Sequence, residues 1–194
     1  MIAVWNIIRH RYLGVSATVA MLLLLPLIVI STQRTQTITG IAEGATTVVF
    51  SPASLDDMPL EKSVGEEFPL NVLVDPGENI ISVIELDINY DPSILKLSPD
   101  NPVTVNETVF TDIQGPFYSE GRVQVVLSVG VDLSKSISSR TRTVTLNFVP
   151  IAKTSETYTT ITFGENTKAS SVEVNDLEEE NIISTTAPSY IKIN

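Results

Sequence analysis

The chain of 194 residues carries 23 acidic side chains against 12 basic ones, has no cysteine, and has a single histidine, His10. From residue 46 onward 22 acids face 9 bases, a net of −13, and such a surface repels phosphate backbones, which excludes nucleic acid as a partner. The missing thiols and the absence of histidine beyond residue 10 also exclude cysteine nucleophiles, zinc-thiolate centres and a histidine-based triad from the main part of the chain.

Residues 1–11 end in Arg9-His10-Arg11, and residues 12–31, YLGVSATVAMLLLLPLIVIS, hold no charge. About 20 apolar residues suffice to span a bilayer, and basic residues favour the cytoplasmic side. The expectation is a short cytoplasmic flank, one N-terminal transmembrane helix, and everything after it extracellular. A cleaved signal sequence, with Val29 and Ser31 at the cut, is the competing reading and would make the domain secreted. Residues 32–45, TQRTQTITGIAEGA, are Thr-rich without hydrophobic periodicity and read as a flexible linker.

From residue 46 short runs with a period of two follow one another, separated by turn residues. TTVVF (46–50) stops at Ser51-Pro52. FPLNVLVD (68–75) places Phe68, Leu70, Val72 and Val74 on one face, with Leu73 breaking the alternation. Pro69, which lacks an amide donor, belongs near a strand start. Pro76-Gly77-Glu78-Asn79 is a turn, after which Ile84, Leu86, Ile88 and Tyr90 share the core face and Val83, Glu85, Asp87 and Asn89 point away from it. Asp91-Pro92-Ser93 ends that strand, and the chain re-enters the core through Ile94, Leu95 and Leu97 as a helical turn or short strand. In residues 121–133 the core face comprises Val123, Val125, Leu127, Val129 and Val131; in 141–151 it comprises Val144, Leu146 and Phe148. TTITF (159–163), SVEV (171–174), NIIST (181–185) and SYIKI (189–193) complete about nine strands. With no amphipathic helix of useful length, an all-β domain spanning 46–194 and built from two facing antiparallel sheets is the expected fold.

TTVVFSPAS, VGEEFPLNVLVD (64–75), IISVIELDINYDPSILKL and, later, VTLNFVPIAK together resemble a cohesin domain, with its Val-Gly-Asp/Glu lead into strand two and its Tyr-Asp-Pro-Ser-x-Leu turn. The resemblance implies a nine-stranded jelly-roll sandwich, shared with some carbohydrate-binding modules. It also implies a non-catalytic role: holding a dockerin-type partner in a polysaccharide-degrading assembly at the cell surface. Glu85 falls where many members carry a partner-contacting acid, while Val83 stands where an asparagine is common. The implied partner-binding face comprises Val83, Glu85 and Asp87 together with Gln124, Val126 and Ser128, provided the two strands are neighbours.

Two alternatives stay open. A carbohydrate-binding module wants exposed aromatic rings, and Phe117 and Tyr118, on an expected loop GPFYSEG, are the pair not claimed by the core. A structural or adhesive envelope domain would need no ligand. No cofactor is expected; the densest acidic run, Asp176 with Glu178, Glu179 and Glu180, reads as a solvated turn, with calcium as the alternative, because it lacks the spacing of a calcium-binding loop. Adjacent acids such as Asp56 with Asp57, or Glu66 with Glu67, point to opposite faces of a strand and form no acid/base pair by themselves.

Overall fold

The computed structural model describes residues 45–155, 157–171 and 181–194. The expected membrane helix at 12–31, the linker, most of SVEV and the acidic run 176–180 lie outside the described residues, among which no helix is long and apolar enough to cross a membrane. Residues Glu43–Asn194 form a compact unit of their own.

Thirteen strands are present among the described residues: β1 (Thr46–Ser51), β2 (Leu60–Lys62), β3 (Phe68–Asp75), β4 (Ile81–Asn89), β5 (Leu95–Leu97), β6 (Val103–Val105), β7 (Asp112–Ser119), β8 (Arg122–Ser128), β9 (Thr141–Pro150), β10 (Thr159–Phe163), β11 (Lys168–Ser171), β12 (Ile183–Ala187) and β13 (Ser189–Ile193). They make two sheets. One has the order β12-β1-β3-β9-β5, with β6 also on β9; the other runs β2-β13-β10-β4-β8-β7, with β11 also on β4. The sandwich is all-β as expected, but it has more strands than nine, and two edge pairs, β1 with β12 and β13 with β2, are parallel.

The alternation in sequence becomes the core directly. Val48 and Phe50 from β1, Phe68, Leu70, Val72 and Val74 from β3, Ile84, Leu86 and Ile88 from β4, and Val144, Leu146 and Phe148 from β9 are all buried. Aromatic rings tie the layers together: Phe50 of one sheet stacks on Phe163 of the other at 4.3 Å, and Tyr90 meets Phe148 edge-on at 5.2 Å. Such pairs contribute about 0.5–1.5 kcal/mol beyond the area they bury.

Local irregularities have local causes. Leu73 keeps the alternation of β3, as a half-buried apolar residue on its outer side; the register shift beside it comes from β9, where Thr143 is the extra residue of a β-bulge and is buried next to Val144. Pro69 lies opposite Asn147, whose own N–H donates to the Pro102 carbonyl while its carbonyl accepts from Ser98. Asn147 therefore asks nothing of the missing proline donor. Asp91 Oδ1 accepts from the Ser93 amide (2.8 Å) and hydroxyl (2.6 Å), and the Asp91 carbonyl accepts from Leu95; one helical turn then hands the chain to β5 in the other sheet.

Three expectations need correction. Val131 is fully exposed, because β8 ends at Ser128 and Gly130, at φ +69°, turns the chain away. The strand expected at 181–185 begins only at Ile183, since Asn181 spends its side chain bonding the Ala169 and Ile183 amides and the Thr167 carbonyl. Phe117 and Tyr118 lie not on a loop but on β7. As an edge strand exposed along most of both faces, β7 has no apolar alternation in its sequence.

Candidate functional site

The expected partner face depends on β4 and β8 being neighbours, and they are: Val83 pairs with Ser128, Glu85 with Val126 and Asp87 with Gln124. Directly opposed residues share a face, so all six expected residues form one block, two strands wide. β11 extends it on one side, placing Lys168 opposite Glu85 and Ser170 opposite Val83. On the other side β7 places Gln114 opposite Val126 and Phe117 opposite Gln124.

Register decides what Phe117 and Tyr118 can do. One extra residue between Gln114 and Phe117, in the Gly115-Pro116 stretch, bulges β7 so that Phe117 lands beside Gln124 on the outer face, whereas Tyr118 pairs with the buried Val123. Successive strand side chains point to opposite faces. The two rings therefore do not form a common platform, contrary to the carbohydrate expectation. Phe117 joins the outer block of β4 and β8 instead, with 62% of its surface exposed.

Asp87 is the member whose role changes most. It lies on the outer side of β4 yet is only 2% exposed. Arg122, diagonal to it on β8, donates from Nε to Oδ1 at 2.6 Å and from Nη2 to Oδ2 at 2.7 Å, while Asn166 Nδ2 approaches Oδ2 at 3.3 Å. The Arg122 hydrogen bonds hold the Asp87 carboxyl below its ordinary range, and the same contact raises the guanidinium. Around its backbone, the Asp87 carbonyl accepts from the Gly164 amide (2.7 Å) and the Thr167 hydroxyl (3.0 Å). Asp87 sits where the strand beside β4 changes from β10 to β11, and its carboxylate, Arg122 and the 164–167 turn fill that junction. Gly164 is part of the fit, because a Cβ there would overlap Asp87 Oδ2. The sequence did carry a signal for this, an arginine on the outward face of β8, but only the register shows that it reaches Asp87.

What remains for contact is a mixed surface: Val83, Val126 and Phe117 apolar, Glu85 and Gln124 polar, with Ser128 partly engaged by the Gly130 amide at 3.0 Å. A shallow hollow of about 220 Å³ lies at its centre, lined by Glu85, Asp87, Phe117, Gln124, Val126 and Asn166. Among the described residues no three His, Asp or Glu side chains converge as a metal ion requires.

No family model matches the chain, and no curated protein does. Solved structures do. The seventh ScaB type I cohesin from Pseudobacteroides cellulosolvens aligns with a TM-score of 0.61 at 14% identity, over 77% of this chain and 92% of that one. The solution structure of CaCohA2 from Clostridium acetobutylicum gives 0.59 at 15%, over 77% and 92%. The third cohesin ScaC from Acetivibrio cellulolyticus, solved in complex with the ScaB dockerin, gives 0.58 at 17%, over 76% and 98%. At these identities the likeness is one of fold: the chain folds as cohesin modules do.

Proposed function

We infer that residues 46–194 are a non-catalytic, cohesin-like protein-binding module, presenting the outer face of β11, β4, β8 and β7 to a dockerin-type partner. The observation that carries this reading is the register, which assembles Val83, Glu85, Gln124 and Val126 into one block and adds the exposed Phe117 at its side. An exposed aromatic ring beside apolar neighbours is the composition enriched at protein interfaces, and a charge such as Glu85 beside it adds specificity. The cohesin fold supports the same reading, since one of the modules it matches was solved with a dockerin. With residues 12–31 as its anchor, the module would stand outside the cell, as a receptor in a polysaccharide-degrading assembly.

The test is capture of secreted and surface proteins from the source organism with the 43–194 unit as bait, with and without calcium, followed by affinity measurement on the recovered partner. Phe117→Ala and Glu85→Gln are expected to weaken binding at least about tenfold each without changing the melting temperature. Recovery of a partner whose affinity ignores Phe117, Glu85 and Val126 would sink the assignment of the face.

A further inference from the structure

β4 leaves its sheet at Asn89 and crosses to the other layer through the Asp91 turn, whereas its neighbour β10 starts earlier. β10 pairs with β4 only at Thr162 and Phe163, while Thr159–Ile161 pair with β13 alone. The departure of β4 opens a broad, shallow cleft of about 450 Å³ beside that half-paired stretch, lined by Asn89, Tyr90, Asp91, Tyr158 and three threonines, Thr159, Thr160 and Thr162.

Every lining side chain bears a hydroxyl, an amide or a carboxylate. Among the described residues only Asp91 uses that group within the protein, toward Ser93. Thr160 and Thr162 flank the buried Ile161 and so stand together on the outer face, with Asn89 opposite Thr162. Tyr158 is held against Tyr190 at 4.9 Å with the rings nearly perpendicular, which fixes one aromatic ring at the cleft. A row of groups that both donate and accept hydrogen bonds, next to a fixed aromatic ring, complements a ligand with neighbouring hydroxyls on a partly apolar ring.

We propose that this cleft is a binding site for a neutral saccharide, separate from the docking face and independent of it. Cationic partners find only one carboxylate here, and anionic sugars meet Asp91 and the domain's net negative charge. The unpaired edge beside β4 is three residues long, too short to take up a peptide as an added strand.

Amide shifts of the 43–194 unit are followed by NMR while cellotetraose, xylotetraose and maltotetraose are titrated in, up to the limit of their solubility. At least one is expected to move Asn89, Asp91, Thr160 and Thr162 saturably, with a millimolar or tighter Kd. Thr160→Val, nearly isosteric, and Tyr158→Ala are each expected to weaken that binding about tenfold, with partner capture unchanged. Absence of saturable shifts with all three sugars overturns the proposal. So does binding that survives both variants, or binding that is lost on Phe117→Ala instead.

Discussion

Replacing Asp87 should be the most informative perturbation of this domain, because its two readings, partner contact and internal tie, predict different results. Asp87→Ala removes two charge-assisted hydrogen bonds from a side chain with almost no access to solvent. Such bonds contribute about 1.5–3 kcal/mol each. The Arg122 side chain is 37% exposed and recovers water once its partner is gone, so the total should fall near the single-bond value, about 2–3 kcal/mol. In a unit of this size that corresponds to a melting temperature lower by roughly 5–10 °C. Urea unfolding of the 43–194 unit should show a lower midpoint with an unchanged slope. The pH dependence supplies the sharper test. Arg122 holds the Asp87 carboxyl below its ordinary 3.8 in the fold, so the unfolded chain takes up the proton first. The stabilisation is complete above about pH 5 and is lost as the pH falls through the folded value. The gap between wild type and Asp87→Asn should therefore narrow below about pH 4, whereas the other depressed carboxyls, Asp91 and Asp132, act equally in both proteins and cancel. A gap that stays constant from neutral pH to pH 3 would show that packing, not the ion pair, is responsible.

Further outcomes follow from the same geometry. Gly164→Ala forces a methyl into the Asp87 carboxylate and the Asn89 amide and should cost about 1–3 kcal/mol, read as a lower urea midpoint; in Asp87→Ala, where only the Asn89 amide still crowds the methyl, the added cost should shrink, and additive losses would refute the Asp87 contact. Phe148→Ala removes the ring that meets both Phe68 and Tyr90, and calorimetry should show a loss of about 3–5 kcal/mol. Leu73→Thr, half-buried on the outer side of β3 rather than in the core, should change stability by less than about 1 kcal/mol.

The strands with one buried face were legible because burial writes itself as alternation, and β1, β3, β4, β8 and β9 fall where Val, Ile, Leu and Phe recur at every second position. β7 was not, since an edge strand with Phe117 on one side and Tyr118 on the other carries no such imprint. β2 and β6 are three residues each, shorter than any periodicity can register. The candidate face was half legible. Val83, Glu85, Gln124 and Val126 could be put on outward positions from each strand alone, but their adjacency rests on a register that joins residues about forty apart in sequence. The same long-range pairing turned Asp87 from a surface acid into a buried partner of Arg122, and no single-strand pattern distinguishes it from Glu85 two residues earlier.

That contrast between Glu85 and Asp87 shows how one strand can serve stability at one residue and the proposed recognition at another. At Glu85 the neighbours are complete ladders, β11 on one side and β8 on the other, so the backbone is satisfied without the side chain and the carboxylate is left at the surface. At Asp87 the ladder beside β4 is interrupted, and the carboxylate, Arg122 and the Thr167 hydroxyl are recruited to close the gap. Substitutions at Glu85, Val126 or Phe117 can therefore retune the proposed partner surface at little cost to the fold, whereas any change at Asp87 or Gly164 is felt first as stability. A binding measurement on an Asp87 variant has meaning only beside its melting curve.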